Sequence, residues 1–349
     1  MTVFLLLLVL LCVIGAEVKK ENEFFEDYAS LEKSNAIKGI FVVMVFFSHA
    51  KAYMHLTDAN SEYYLGLQTY LAQMIVVPFL FFSGYGIMQS VMKKGTNYIK
   101  KIPTNRLLKV LLHFDIAVLL FVGLNLIIKR EMTLSKVLWS LIGWESIGNS
   151  NWYILAILIA YAATFIAFII FRKNHYLAAV VTTVLVVLAI LFISKHRPGY
   201  YYNTMLTYCF GLWYALFKDK IDKICMKNEV IWLGVIGICG AVYYLVHKNF
   251  LQSIWYYELW ACMFMMLLLL FSMKISINNG ILQFFGNHVF SIYILQRLPM
   301  DFINAHYNVP KIPYIFLVTS FIVTLIIALI FDFAMKKLDG IIFRTAKKS

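Results

Sequence analysis

Ten apolar stretches recur along the chain, at about 37–55, 66–92, 107–128, 152–171, 177–194, 201–217, 230–247, 254–274, 281–298 and 313–335, with only short connectors between them. In lipid a backbone must satisfy its own hydrogen bonds, so a spanning segment is a helix of about 20 residues. The recurrence therefore predicts an all-α fold, a polytopic membrane helix bundle of about ten transmembrane helices. Charge content agrees: 14% of residues are charged, against roughly a quarter in a soluble domain.

A shorter apolar segment, Thr2 to Ala16, comes first. It falls below the length of a full span and lacks the positive start of a secretory signal, although Gly15–Ala16 has cleavage-site character. It reads as a short extra helix or signal-anchor, and the charged stretch Glu17 to Asn35 reads as a surface linker. No internal repeat and no Pro/Gly/Ser-rich linker divides the remainder. The predicted organisation is a short segment plus linker over 1–34, one membrane domain over 35–336 and a basic tail over 337–349.

The net charge of +13 does not describe a nucleic-acid site, because the cations are spread over connectors and form no patch. Alternating the spans from a cytoplasmic linker puts 22 of the 31 Lys and Arg residues on one side. By the positive-inside rule that side is cytoplasmic, so residues 17–35 and the C-terminus face the cytoplasm of a multi-pass cell-membrane protein. The five cysteines, Cys12, Cys209, Cys225, Cys239 and Cys262, have neither metal-ligand spacing nor a disulfide pattern. No HExxH, phosphate-loop or GxGxxG motif is present, and no metal is expected.

The chemistry concentrates in Lys38 to His55, KGIFVVMVFFSHAKAYMH. Lys38 and His49 are 11 positions apart, which on a helix places them within about 20° of one face and about 16 Å apart along the axis. A cation and an imidazole on one stripe of an apolar helix are costly in lipid and need a reason. Imidazole is a general base near neutral pH, yet a core histidine bonded to a carbonyl also satisfies the spacing. Ser48 points about 100° away from His49, so the two do not form a nucleophile pair. Arg106, Lys109 and His113 share one face of a later helix, as an anion site or as snorkelling topology charges.

The Lys38-x10-His49 pattern, with its start Ile37-Lys38-Gly39-Ile40, resembles the first helix of the membrane acyltransferase 3 family. Further similarities run in order along the chain: Phe81-Phe82-Ser83-Gly84-Tyr85, the Arg106/Lys109 pair in place of Arg-x-x-Arg, Trp152-Tyr153-Ile154-Leu155 and Ser291-Ile292-Tyr293-Ile294-Leu295. Together they cover about 35–335. Two departures stand out: Gln296 replaces the His of the late motif, and no Glu follows the Trp within Ala156 to Ala160. The resemblance implies His49 as catalytic base and Lys38 as part of an acyl-donor site. It also implies acetyl-CoA as donor substrate and a hydroxyl of a surface polysaccharide or its precursor as the usual acceptor.

Lys38, Arg106 and Lys109 are then candidates to hold the phosphates of coenzyme A. The motifs nominate Ser83, Tyr85, Trp152, Tyr153, Tyr293 and Gln296 to line the site. The bilayer, acyl-CoA, a carbohydrate acceptor and polysaccharide-assembly proteins are the expected partners. Each motif also has a packing reading: small residues for close helix approach, aromatics as interfacial anchors, Tyr293 and Gln296 as cross-bundle hydrogen bonders. A transporter or flippase and a non-catalytic partner subunit remain open at this level. Against transport, no repeat is present and Pro78 alone among the prolines lies deep in a span.

Overall fold

The computed structural model describes residues 1–56 and 61–343. Among them, eight helices are long and apolar enough to cross a membrane. In chain order the elements are α1 (Thr2–Val13), β1 (Ala16–Val18), α2 (Leu31–Met54), α3 (Glu62–Leu71), α4 (Val77–Lys94) and the short α5 (Thr96–Ile99). Then come α6 (Lys109–Ile127), α7 (Leu134–Leu141), α8 (Trp152–Ile170), α9 (His175–Ser194), α10 (Leu206–Cys225), α11 (Glu229–His247) and α12 (Ile254–Lys274). β2 (Ile275–Ile277), α13 (Gly280–Asn287), α14 (Val289–Leu295), α15 (Arg297–His306) and α16 (Pro313–Ile342) complete the chain.

Two of the ten expected spans take a different form. The stretch 201–217 is shifted into α10, whose C-terminal part carries Lys218, Asp219, Lys220, Asp222 and Lys223 and so dilutes its apolar character. The stretch 281–298 is broken into α13, α14 and the start of α15. Pro299 explains the second break: it has no N–H to give the Leu295 carbonyl, so the helix is interrupted at Leu295–Gln296. The apolar composition of the stretch conceals this.

Polar contacts tie the two ends of the bundle. At the end where α2 starts and α12 stops, Lys274 donates to the Lys20 and Glu23 carbonyls (2.6 and 3.2 Å) and pairs with Glu229 at 2.9 Å. At the opposite end Arg130 pairs with Asp301 (3.0 Å) and Arg197 with Glu145 (2.6 Å). The N-terminal segment is a helix docked on this framework. Asn279 donates to the Leu11 and Ile14 carbonyls at the end of α1, while its own Oδ1 accepts from Leu282 N and caps α13. β1 and β2 then pair antiparallel, Ala16 opposite Ile277.

Four glycines set the spacing of the helices around the site. A Cβ on Gly39 would stand 2.0 Å from the Leu282 carbonyl oxygen, and one on Gly286 1.9 Å from that of Asn35. α2 and α13 therefore touch backbone to backbone. A Cβ on Gly84 or Gly211 would likewise strike the facing backbone of α10 or α4, at 2.0 and 2.2 Å. Small residues permit this close approach in a membrane bundle. The Ser83–Gly86 stretch thus serves helix packing through Gly84, whereas Gly86 faces open space.

Candidate active site

α2 begins at Ser30, whose side chain accepts from Lys33 N, and runs unbroken to Met54. It therefore carries Lys38 and His49 on one stripe, as their spacing requires. Lys38 lines a cavity of about 710 Å³ together with Arg106, Lys109 and His113 from the face opposite. A π-helical turn over Pro103–Leu108 widens the backbone just before α6 and presents Arg106, whose Nε donates to the Tyr98 hydroxyl at 3.3 Å. Arg106 is a charged neighbour of Lys38. Two cations side by side in a half-buried cavity repel unless an anion joins them.

Deeper in, the same cavity is lined by Phe79 and Ser83 of α4, Tyr153 of α8 and Tyr293 of α14. Ser83 lies beside the Tyr153 hydroxyl, and the Tyr153 and Tyr293 rings meet edge to face, centroids 5.4 Å apart. The His49 ring packs against the other side of Tyr293, centroids 6.2 Å apart. His49 Nδ1 is buried without a hydrogen-bond partner, and so is the Tyr293 hydroxyl. The core reading of His49, a ring bonded to a carbonyl, is therefore not what Nδ1 does. The His49 ring does not itself line the cavity; Tyr293 stands between them.

Of the residues nominated from the sequence, Lys38, Arg106, Lys109, Ser83, Tyr153 and Tyr293 share this one cavity. Gln296 is fully buried next to it; its Nε2 donates to the Tyr293 carbonyl at 3.1 Å and its Oε1 has no partner. Tyr85 and Trp152 lie elsewhere. Tyr85 stacks on Phe81 and packs on Tyr214, toward α10. Trp152 packs against Tyr200 near the opposite end. Neighbours on a helix diverge by about 100°, so Trp152 and Tyr153 do not both face the cavity.

Two cavity groups, and one acid beside them, were not nominated as site residues. His113 stands on the Arg106/Lys109 face. Asp332 lines the cavity from α16, accepts from Ser291 Oγ at 2.9 Å and contacts His288 Nδ1. Asp339, in the basic tail by sequence, lies on α16 and binds both Lys109 Nζ (2.5 Å) and His113 Nε2 (2.9 Å). It occupies Lys109, one of the cations the sequence nominates for a donor phosphate. Asp339→Asn is expected to tighten donor binding about two- to fivefold, the equivalent of a partly exposed ion pair. Donor titrations at low salt check this; unchanged or weaker binding would show that Asp339 only braces Lys109.

The other intramembrane acids are structural or isolated. Glu258, buried in α12, accepts from Leu206 N at 3.0 Å and so satisfies the start of α10. Asp115 has one oxygen, Oδ1, buried without a partner. No cluster of metal-ligating side chains occurs among the described residues.

Searches of curated proteins and of solved structures return no match to the chain. A family model described as an acyltransferase domain matches residues 31–333, nearly the whole chain and every element that lines the cavity. Together with the eight apolar helices, this makes the protein a multi-pass membrane acyltransferase. The chain belongs to the acyltransferase 3 family.

Proposed function

We propose that the protein moves an acyl group, in the first instance acetyl, from acyl-CoA to a hydroxyl of a carbohydrate acceptor, with His49 as the general base. One observation carries this reading: a cavity that starts among Lys38, Arg106 and Lys109 ends at Tyr293, directly against the His49 ring. The separation of Lys38 and His49 along α2, about 16 Å, suits a donor with a polyanionic end and a reactive end. The three cations would take the phosphates of coenzyme A, and the pantetheine arm would run between α2, α8 and α14. The 22-to-9 division of Lys and Arg favours a cytoplasmic mouth, where acyl-CoA is available.

In the reaction, His49 takes the proton of the acceptor hydroxyl, and that oxygen attacks the thioester carbonyl. The tetrahedral intermediate collapses, the carbon–sulfur bond breaks, and the coenzyme A thiolate recovers the proton from the imidazolium. The unpartnered Tyr293 hydroxyl is the group positioned to donate to the carbonyl oxygen as charge develops there. The acceptor is a sugar of a surface polysaccharide or its precursor, approached from the opposite end, and assembly proteins would present it.

Lys38→Ala and Arg106→Ala test the donor half. Charge-assisted hydrogen bonds contribute about 1.5–3 kcal/mol each, so the donor KM should rise roughly 10- to 100-fold with a smaller change in kcat. The measurement is release of free CoA from labelled acetyl-CoA by the purified protein. If neither variant shifts donor affinity, the cavity is not the donor site.

A further inference from the structure

Arg297 is the residue neither the charge count nor the donor cavity explains. It opens α15 directly after the break that Pro299 imposes, one helical turn beyond Tyr293. Tyr293 and Arg297 are four residues apart on their segment, as His49 and Tyr53 are on α2. The two segments run in the same direction, so the pairs face one another: Tyr293 is level with His49, and Arg297 with Tyr53. The Tyr53 hydroxyl lies beside the guanidinium, whose charge also acts on His49 and Tyr293.

The guanidinium is not neutralised within the protein. Its Nε is buried without a hydrogen-bond partner. The nearest acid on its own helix, Asp301, is engaged twice: it accepts from Tyr53 at 2.8 Å and pairs with Arg130 at 3.0 Å. Among the described residues no carboxylate forms an ion pair with Arg297. The group of Arg297, Asp301 and Arg130 therefore holds one positive charge too many, half-buried and next to the proposed base. An uncompensated charge withdrawn even partly from water is costly, and a bound anion reduces the cost.

We infer that Arg297 is a binding residue for an anionic oxygen group of the acceptor, a carboxylate or a phosphate close to the hydroxyl that His49 activates. The inference rests on the acyl-transfer reading, because it takes the side of His49 away from the donor cavity as the acceptor side. A planar guanidinium suits either anion, since its forked donors match two oxygens at once. Acidic sugars and sugar phosphates are the acceptor classes that follow. Neutral sugars would leave the charge unpaired.

The test uses the full-length purified protein saturated with coenzyme A, so that the donor cations are occupied. Thermal melting is followed during titration with glucuronate, with inorganic phosphate and, as the neutral control, with glucose. Glucuronate or phosphate should raise the melting temperature saturably, and glucose should not; the more effective anion identifies the source. Arg297→Gln should weaken that anion at least tenfold, and Arg297→Lys should retain most of the effect. Without ligand, Arg297→Gln should melt at or above the wild type, because a half-buried cation without an ion-pair partner has been removed. A much lower melting temperature would assign Arg297 to the fold and overturn the inference. So would an anion effect that survives in Arg297→Gln, or the absence of one in the wild type. Failure of coenzyme A itself to stabilise the protein would count against the donor reading, and the Arg297 comparison would still be legible.

Discussion

His49→Ala is expected to lower acyl transfer by about 10²- to 10⁴-fold, the usual contribution of a positioned general base. The fold should be unaffected. The imidazole Nδ1 makes no hydrogen bond, so truncation strands no partner of that atom. Donor affinity should also stay near wild type, since the cations proposed to hold the donor lie about three turns away. Transfer kinetics with labelled acetyl-CoA, run beside donor binding and a melting curve, separate these quantities. A His49→Ala protein that still transfers acetyl at the wild-type rate would exclude the proposed base.

Gly286→Ala is expected to be the most damaging single methyl group in the chain. The added Cβ would meet a backbone oxygen at 1.9 Å, and a backbone cannot swing aside as a side chain does. Overpacking typically costs about 1–3 kcal/mol and more where the neighbour is fixed, so a loss of about 3 kcal/mol or greater follows. Because α13 leads into α14, forcing it away from α2 would also shift Tyr293 from His49, and activity should fall with stability. Gly237→Ala in α11 is the control: nothing lies within 4 Å of its Cβ, and alanine gains about 0.5–1 kcal/mol over glycine in a helix. Melting curves of both variants in detergent decide the matter. A Gly286→Ala protein as stable as the wild type would mean that the two backbones are not in contact.

The parts of the site that repeat with helical period were legible in the sequence. Lys38 and His49 share a face because 11 residues make three turns, and Arg106, Lys109 and His113 share one for the same reason. That these two faces line one cavity is tertiary information, available from the ordered motifs but not from periodicity. Tyr85 and Trp152 show the limit of motifs: membership in a motif says nothing about which way a side chain points. The break at Gln296 was hidden because hydropathy averages over a window, whereas Pro299 acts on one carbonyl. A positive-inside count assigns every cation to one side or the other, so it carries no sign that Arg297 lies beside His49. Asp339 is hidden in a basic tail by composition, because α16 runs on past the end of its apolar stretch, to Ile342.

The pairing of Ala16 with Ile277 and the capping of α1 by Asn279 also bear on the order of assembly. More than two hundred and fifty residues separate the partners in each contact, and a growing chain cannot make a contact before both halves exist. The first helix can pack on α2 early, Phe4 against Phe47, but it lacks its cap and its strand partner until residues 275–279 exist. Contacts of such wide sequence separation form late and slowly. The C-terminal end of α1 and the strand after it are thus fastened last, and ribosome-bound chains halted before residue 275 should leave residues 14–18 open to protease.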